Sequence, residues 1–293
     1  MDFRSGYIAL VGRANVGKST LLNTLVGEKL SIVSAKPHTT RHALLGILQN
    51  DAFQAALLDT PGYLKFGRDQ LDIAMSHQLK SALADSDMAI LVVEPRSPGE
   101  VETDLIKQLK EARIESILCI NKIDTVSKSR LLPIIQKYSE IHDFIDIVPV
   151  SAANSDGVSV LINQMANSLK IQEPIFPSNQ LTNRPPSFLV SEIIREKVFE
   201  QYEDEVPYDV AVEIESFDYK GTNKPDLIQA TIHVATNSQK KVLIGRSGAA
   251  IKQVGISARP EIETLAGRRI YLELWVKVTQ NWKKKSGFVQ RHI

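Results

Sequence analysis

Short apolar runs alternate with amphipathic stretches over roughly the first 170 residues of the chain. This alternation predicts a mostly parallel sheet whose connecting helices cover both faces. The predicted strands are Tyr7–Val11, Ala43–Leu48, Phe53–Leu58, Met88–Val93, Ser116–Ile120 and Ile145–Val150. Only residues 49–52 separate the second strand from the third, which leaves no room for a helical crossover. We therefore expect an antiparallel hairpin there and a mixed sheet.

A proline-rich stretch then interrupts the pattern. Residues 173–179 and 183–186 show no periodicity, and prolines at this density favour an extended connector. We predict a first domain over residues 1–171, a linker over 172–187 and a second domain over 188–293. A chain of 293 residues is long enough for two domains of ordinary size.

The second domain shows a different pattern, which predicts a smaller α+β unit. Its order is helix, strand, strand, helix, helix, strand. The predicted elements are Phe188–Tyr202, Val210–Glu215, Ile228–Val234, Ala249–Val254, Pro260–Leu265 and Ile270–Val278. Pro260 is assigned to the first turn of its helix, where the missing N–H is tolerated.

Composition limits the class of protein. With 43% apolar and 24% charged residues, the chain is typical of a soluble globular protein. A single cysteine, Cys119, excludes an internal disulfide framework and fits a reducing compartment. No uncharged apolar stretch is long enough to span a bilayer, and no signal peptide precedes the first strand. We expect a cytoplasmic protein.

Charge is strongly segregated along the chain, although its formal net value is only +1. Residues 1–171 are almost neutral, with 18 Lys and Arg against 19 Asp and Glu. Residues 172–237 are acidic, with 5 against 12, and residues 238–293 are basic, with 12 against 3. A polyanionic partner would therefore bind at the C-terminal end.

The segment after the first strand fits the motif G-x-x-x-x-G-K-[ST] in the required setting of strand, loop and helix. Its glycines allow the backbone N–H groups and the start of the next helix to surround a polyphosphate. Lys18 would reach the β- and γ-phosphates and Ser19 would ligate Mg2+. The predicted nucleotide contacts here are Gly12, Arg13, Ala14, Asn15, Val16, Gly17, Lys18, Ser19 and Thr20.

Two later segments favour guanine over adenine. Asn121-Lys122-Ile123-Asp124 follows a predicted strand, where ligands bind in open α/β sheets. The Asp124 carboxylate would accept both N1–H and the exocyclic amine of guanine, a donor pair that adenine lacks. Asn121 would tie this segment to the phosphate loop, and the Lys122 stem would cover the base. Ser151-Ala152, after the sixth strand, would bring a backbone N–H to the guanine O6.

Asp59-Thr60-Pro61-Gly62 completes the predicted site at the end of the third strand. Asp59 would hold Mg2+ through a water, and the Gly62 N–H would sense the γ-phosphate. In the loop Pro37-His38-Thr39-Thr40-Arg41, we favour Thr40 over Thr39 as a further Mg2+ ligand. The predicted metal ligands are thus Ser19, Thr40 and Asp59, and the predicted catalytic residues are Asn15, Lys18, Thr40 and Gly62.

One expected residue is missing from this set. Ras-like enzymes orient the attacking water with a glutamine directly after the glycine that Gly62 matches, and this chain has Tyr63 there. Intrinsic hydrolysis should therefore be slow or use another device. Asn15 resembles the asparagine that helps to ligate K+ near the phosphates in potassium-activated GTPases.

A second glycine motif, Gly245-Arg246-Ser247-Gly248, lies between an apolar run and a helix in the basic part of the chain. It fits the loop with which KH domains hold the backbone of about four nucleotides of single-stranded nucleic acid. Ile244, Ile251 and Val254 would line the groove for the bases. The predicted RNA contacts are Lys240, Lys241, Ile244, Gly245, Arg246, Ser247, Gly248, Ile251 and Lys252.

Together, these motifs make the chain resemble the Era family of bacterial GTPases. The resemblance runs end to end and includes Ile193–Lys197, Glu205–Tyr208 and Leu272–Val278. It implies a P-loop NTPase domain followed by a type II KH domain, and a GTPase that binds GTP, GDP and Mg2+. It also implies binding to the 3′ end of 16S ribosomal RNA, action in assembly of the 30S subunit and peripheral contact with the inner face of the membrane. We expect a monomer whose RNA binding is gated by GTP.

Two other functions remain open at this level. In the first, the chain is a signalling GTPase at the membrane surface whose C-terminal domain binds protein or lipid. In the second, it is an RNA-binding scaffold whose nucleotide is structural and is not hydrolysed. The basic tail Asn281–Ser286 either extends the RNA-binding surface or is a frayed terminus.

Overall fold

The structure is a computed structural model that describes residues 2–34, 36, 39–63, 69–221 and 224–292. Pro37 and His38 of the predicted switch loop lie outside the described residues. The chain forms two compact units. Within the described residues, the first comprises 2–63 and 75–183, with 36 included and 35, 37 and 38 left out, and the second comprises 69–74 and 184–292.

The first unit is built on a seven-stranded sheet with the order β2-β3-β1-β4-β5-β6, and β7 pairs with the start of β1. Its strands are β1 (Arg4–Val11), β2 (Leu44–Gln49), β3 (Phe53–Asp59), β4 (Met88–Val93), β5 (Glu115–Ile120), β6 (Ile147–Pro149) and β7 (Lys170–Ile171). The helices between them are α1 (Lys18–Val26), α2 (Gln70–Ala84), α3 (Glu100–Ala112), α4 (Leu131–Ser139) and α5 (Val158–Ser168), and residues 70–74 of α2 group with the second unit. The predicted hairpin is confirmed, because β2 runs antiparallel to β3.

The centre of this sheet is buried on both faces, as its uninterrupted apolar strands require. Every residue of β4 is buried, and so is Ile8–Val11 in β1. β1 lies parallel to β3 and β4, with Leu10 opposite Asp59 and Val11 opposite Leu91. The carboxyl ends of these strands therefore meet at one edge, where the following loops build a site.

The chain after β7 continues along the first unit instead of leaving it. The Gln54 side chain accepts the backbone N–H groups of Ile175 and Phe176, both at 2.8 Å, and donates to the Phe176 carbonyl. The Phe176 ring also packs edge-on against Tyr7. Further along, the Ile47 N–H donates to the carbonyl of Leu181. Most of the stretch predicted as a linker is thus an ordered strap on the first unit.

The second unit has a three-stranded sheet with the order β10-β9-β8. Its strands are β8 (Ala211–Asp218), β9 (Asp226–Val234) and β10 (Ile270–Val278), and its helices are α6 (Pro186–Gln201), α7 (Asn237–Ile244), α8 (Ala249–Ala266) and α9 (Ser286–His292). β9 pairs antiparallel with β8 and parallel with β10. The core on one sheet face contains buried residues of α6 and α8, including Ile194 and Val254.

The predicted order of elements is right, but two of its helices were wrongly assigned. The segments predicted as separate helices form the single helix α8, with Pro260 inside it. The other helix of the pair is α7, which sequence reasoning missed. Thr236 caps α7 by accepting the N–H of Gln239, whose side chain accepts the Thr236 N–H in return. This capping box allows a short, weakly amphipathic segment to be helical.

The C-terminal residues are folded onto the second unit rather than frayed. The Trp282 ring is fully buried, and its Nε1 donates to the Asp209 carbonyl at 2.9 Å. Phe288 of α9 packs against both Trp282 and His233. None of the helices in the described part of the chain has the length and apolarity needed to cross a bilayer.

Candidate functional site

The two glycines of the loop between β1 and α1 allow its backbone to lie close to neighbouring residues. A Cβ on Gly12 would lie 2.3 Å from the Val92 carbonyl oxygen, and one on Gly17 would lie 2.4 Å from Asn121 Nδ2. Gly17 has φ of 92° and Asn15 has φ of 65°, both in the left-handed region. Glycine and asparagine tolerate that region best. The motif is thus required by space as well as by backbone conformation.

Lys18 closes this loop around its own ammonium group. Its Nζ donates to the carbonyls of Gly12 at 3.0 Å and Arg13 at 2.8 Å, and only 6% of the residue is exposed. Burial lowers the pKa of Lys18 to about 8, although nearby Asp59 opposes the shift. A buried ammonium whose hydrogen-bond partners are neutral carbonyls favours the arrival of an anion.

Asp59, at the end of β3, accepts hydrogen bonds from two serine hydroxyls, one of which also contacts Thr40. Its Oδ2 accepts Ser19 Oγ at 2.7 Å and Ser31 Oγ at 2.8 Å, and Ser19 Oγ lies 2.8 Å from Thr40 Oγ1. Its Oδ1 is buried without a hydrogen-bond partner. Burial raises the pKa of Asp59 above its usual range, against the opposing effects of Lys18 and the two serines. A carboxylate in this condition, among hydroxyl oxygens, fits a hard cation such as Mg2+.

A cavity of about 460 Å³ opens between these groups and the loop before β2. Thr39 lines it too, but its hydroxyl donates to the Lys36 carbonyl at 2.6 Å, whereas Thr40 contacts Ser19. The residues that line the cavity are Ala14, Asn15, Gly17, Lys18, Ser19, Thr20, Ile32, Val33, Ser34, Thr39, Thr40, Gly62 and Lys122.

The segment after β3 lies against the phosphate loop. A Cβ on Gly62 would approach Ala14 N and Cα to 2.7 Å, so the two backbones touch. The Tyr63 N–H donates to the Gly12 carbonyl at 3.1 Å, and the Tyr63 ring packs on the core of the first unit. Thr60, predicted to contact nucleotide, is fully buried and donates its hydroxyl to the Leu10 carbonyl. Thr60 therefore ties the segment after β3 to β1 and does not line the cavity. Pro61 is buried and does not line it either.

Asn121 joins the loop after β5 to the phosphate loop and to the loop after β6. Its Nδ2 donates to the Val16 carbonyl at 2.9 Å, and its Oδ1 accepts the Ala152 N–H at 3.0 Å. The Ser151 N–H donates to the Asp156 carbonyl. One backbone N–H of Ser151-Ala152 was predicted to face the guanine O6, and the N–H groups of both residues are engaged within the protein. A guanine oxygen would have to share one of them or displace its acceptor.

Sequence reasoning missed how Asp124 is oriented. The Ser151 hydroxyl donates to Asp124 Oδ1 at 2.6 Å, which leaves the exposed carboxylate directed by a buried serine. Thr24 of α1 supports the same loop by donating to the Ala152 carbonyl at 2.9 Å. Neither contact carries a sequence signal, since each joins residues distant along the chain.

The second glycine motif lies between α7 and α8 and is exposed. Gly245, Ser247 and Gly248 all have positive φ, of 73°, 51° and 79°. A Cβ on Gly245 would lie 2.6 Å from Ala250 Cβ, whereas nothing lies within 4 Å of one on Gly248. The turn therefore brings its backbone close to the start of α8, whose first N–H groups have no intrahelical acceptor. Arg246 is exposed at its tip.

The comparisons with known proteins cover nearly the whole chain. The GTPase Era of Lactobacillus helveticus is 39% identical over 290 residues, which is 99% of this chain and 96% of that protein. The GTPase Era of Geobacter metallireducens is 41% identical over 283 residues, covering 96% of this chain and 95% of that protein.

The chain belongs to the Era family of GTPases.

Family profiles and solved structures agree with this assignment. Residues 7–122 match the family described as "50S ribosome-binding GTPase", and residues 205–283 match the KH domain. A crystal structure of Era with MgGDPNP and nucleotides 1506–1542 of 16S ribosomal RNA has a TM-score of 0.95 and 33% identity. It covers 99% of this chain and 98% of that one. A structure of a Y63A variant of Aquifex aeolicus Era bound to GDP·AlF4− has the same TM-score and identity, and covers 99% of each chain.

This Era-family chain is therefore a GTPase with a P-loop domain and a KH domain, the fold class expected from the sequence. Its KH loop is flanked by two cavities. One, of about 590 Å³, is lined by Asn237, Lys240, Lys241, Ile244 and Gly245. The other, of about 340 Å³, is lined by Ile251, Lys252, Gly255, Ile256, Arg259, Tyr271, Leu272 and Leu274.

The second cavity corrects the predicted groove of the KH domain. Val254 is fully buried in the core and lines no groove, whereas its neighbours Gly255 and Ile256 do. A Cβ on Gly255 would touch Leu274 of β10 at 3.5 Å, so the helix passes close to the strand here. A glycine inside a helical pattern was the available signal for this approach. Tyr271, Leu272 and Leu274 of β10 also line this cavity, but no sequence signal marked them.

Proposed function

We propose that this chain is a GTP-dependent factor that binds the 3′ end of 16S ribosomal RNA and acts in assembly of the 30S subunit. The observation that carries the proposal is the full-length likeness to Era in complex with MgGDPNP and nucleotides 1506–1542 of 16S ribosomal RNA. The likeness includes both units, so it concerns the nucleotide site and the KH loop alike.

The exposed KH loop supports RNA as the ligand. Its three left-handed residues turn the backbone next to the N-terminus of α8, a place suited to phosphate oxygens. Lys241, Arg246 and Lys252 are exposed around it. The adjoining cavity is lined by aliphatic side chains, by Lys252 and Arg259, and by Tyr271, an aromatic ring on which a base can stack without strict sequence demands.

The direct test is RNA binding by the full chain. A fluorescent RNA with the sequence of the last nucleotides of the 16S molecule is titrated with the protein and with a variant in which Arg246 and Ser247 are both replaced by Asp. We expect the variant to bind about tenfold more weakly or worse, because two negative charges replace phosphate contacts. A matched control, K107D/S129D, places the same charges on exposed positions of the first unit and should bind normally.

Equal RNA affinity of the loop variant and the control would contradict the proposal. It would favour the competing function, a membrane-surface GTPase whose second unit binds protein or lipid.

At the nucleotide site, we propose that Lys18 contacts the β- and γ-phosphates and that Asp59, Ser19 and Thr40 hold Mg2+. The unsatisfied Asp59 Oδ1 and its raised pKa support this assignment. When bound, Mg2+ would neutralise phosphate charge. The D59N variant should lose the Mg2+ dependence of GDP affinity, whereas S34A, a hydroxyl removed from the cavity wall, should keep it.

We further propose that GTP gates RNA binding through the Thr40 and Gly62 loops. By linkage, RNA must then raise the affinity for GTP over GDP by the same factor as GTP raises the affinity for RNA. Titration of the labelled RNA in the presence of a GTP analogue and of GDP measures the factor. Identical RNA affinities in the two states would reject the gate.

Two finer points of the proposal rest on resemblance. K+ bound near Asn15 would supply the positive charge that an arginine finger supplies in other GTPases, so hydrolysis should be faster in KCl than in NaCl at equal ionic strength. Peripheral membrane contact is tested by flotation of the full chain with anionic vesicles. Equal hydrolysis rates in the two salts would contradict the role of K+. Absence of the protein from the vesicle fraction would contradict the membrane contact.

A further inference from the structure

A row of alternating charges begins and ends at the phosphate loop; its members are Lys122, Glu94, Arg96, Glu102 and Arg13. Lys122 Nζ donates to the Asn15 carbonyl at 2.5 Å and to Glu94 Oε1 at 2.8 Å. Arg96 Nη2 lies 3.8 Å from Glu94 Oε2 and 3.5 Å from Glu102 Oε1. Glu102 Oε1 in turn lies 3.8 Å from Nη1 of Arg13, which is two residues from Asn15. Glu94 directly follows β4 at the same sheet edge as the nucleotide site.

Lys122 is the member of this row that lines the cavity of the proposed nucleotide site. It lines the cavity beside Asn15 and Gly17. Its backbone is left-handed, with φ of 61°, and its carbonyl accepts both the hydroxyl and the N–H of Thr125. Such a conformation in a non-glycine residue is costly and persists only where neighbours enforce it.

The side chain of Lys122 is therefore fixed at both ends. Thr125 holds the backbone, and Glu94 with the Asn15 carbonyl holds the ammonium group. The aliphatic stem between them spans from the loop after β5 to the phosphate loop. A stem held in this way presents an apolar surface in place before a base arrives, so less rotamer entropy is lost on binding.

Glu94 is itself anchored. Glu102 is 1% exposed and holds the N-terminus of α3 by accepting the Gly99 N–H at 2.9 Å. Arg96 lies between this buried carboxylate and the partly exposed Glu94, and its ion pairs with both restrict the positions that the Glu94 side chain can take. The row thus links a helix N-terminus, the phosphate loop and the base end of the site.

We infer that Glu94 is a positioning residue for guanine nucleotide binding, acting through the ammonium group of Lys122. This inference rests on the proposed placement of the Lys122 stem against the base. It assigns to Glu94 a role that needs no contact with nucleotide, and it explains why a carboxylate stands at this exposed edge beside a site for polyanions.

The test is a double-mutant cycle on nucleotide affinity. Dissociation constants for a fluorescent GDP and a fluorescent GTP analogue are measured for E94A, K122A and E94A/K122A in the full chain. We expect E94A to weaken both nucleotides by the same factor of about two to five, the range for a partly exposed ion pair. In the K122A background, the same change should have no effect.

Three further readouts separate positioning from general damage. E94Q keeps an acceptor for Lys122 and should fall between the wild type and E94A. The rate of hydrolysis at saturating GTP should be unchanged in E94A. E111A, which breaks the exposed Lys107–Glu111 pair on α3, is the matched control and should bind both nucleotides normally.

Two outcomes would overturn the inference. If E94A weakens binding equally with and without Lys122, or fails to weaken it while K122A does, Glu94 does not act through Lys122. If K122A leaves both affinities unchanged, the proposed placement of Lys122 at the base fails as well, so the two failures are distinguishable.

Discussion

The two glycine loops of this protein are both predicted to bind phosphate, but they are held in place in different ways. The loop from Gly12 to Ser19 is closed by side chains: Lys18 bonds two of its carbonyls and Asn121 bonds a third. The loop from Gly245 to Gly248 is held by three backbone hydrogen bonds and leaves Arg246 in solvent. The first loop buries its lysine and exposes only Asn15, whereas the second exposes both of its central residues, Arg246 and Ser247.

This difference follows from the ligands that the two loops suit. A nucleotide has one triphosphate of fixed length, so a rigid cradle with a desolvated lysine gains both affinity and selectivity. An RNA strand repeats its phosphates, so a shallow turn with exposed cations accepts any of them. Sequence specificity then comes from contacts to the neighbouring bases. The comparison predicts that damage to the first loop is severe and local, whereas damage to the second is graded.

The largest effect is expected for Lys18→Ala. Loss of a buried cation aimed at phosphate should lower the affinity for GTP by about 100-fold or more. RNA affinity measured without nucleotide should stay as in the wild type, because the KH loop is built from other residues. Nucleotide titration and RNA titration of one preparation check both. Weakened RNA binding in the nucleotide-free variant would break the separation of the two loops.

Asp124→Asn should reverse base selectivity. The carboxylate suits the N–H donors of guanine, whereas an amide can donate to the 2-oxygen of xanthine. GTP affinity should fall by about 10- to 100-fold and that for XTP should rise. The S151A variant, which removes the hydroxyl that holds Asp124, should lower GTP affinity by a smaller factor without favouring XTP. Competition between the two nucleotides measures the ratio.

The pH dependence of nucleotide binding tests the buried lysine. Because the pKa of Lys18 is lowered to about 8, the nucleotide-free protein loses this charge as pH rises through that value. A phosphate ligand favours the charged form, so GDP affinity should be constant below about pH 7 and lower by about half at pH 8. It should fall by about five- to tenfold by pH 8.8.

The sign for stability is the opposite. A lysine with a lowered pKa binds fewer protons in the folded state, so nucleotide-free stability should rise between pH 8 and the ordinary lysine pKa. K18R keeps its charge and is the control for both measurements. A GDP affinity that falls equally in K18R would assign the pH effect to another group.

The smallest effects are expected for alanine substitutions in the KH loop. Gly248→Ala imposes a left-handed alanine in open space, which should cost about 1 kcal/mol in stability. Gly245→Ala adds a clash with Ala250 and should cost more. Chemical denaturation of the second unit ranks them. Equal costs would show that the turn relaxes freely and that the open loop is less defined than its dihedral angles indicate.

Much of the fold was readable from the sequence because its signals are local. The apolar runs placed the first six strands, and the short gap at residues 49–52 specified their one hairpin. The two glycine motifs marked their loops because only glycine satisfies the close approaches at Gly12 and Gly245. The predicted division of the second domain is wrong, because Pro260 lies inside α8 and not at a helix start, and because α7 owes its stability to a capping box.

The sequence alone determined the family, the order of the elements and the residue types predicted to surround phosphate and guanine, since these depend on spacing and on backbone conformation. Only the tertiary structure decided which groups are satisfied. It left Asp59 Oδ1 without a partner, engaged the N–H groups of Ser151 and Ala152, and held Lys122 between Glu94 and the Asn15 carbonyl. These hydrogen bonds join residues that are distant along the chain, and their strength depends on interatomic distances that the spacing of residues in the sequence does not specify.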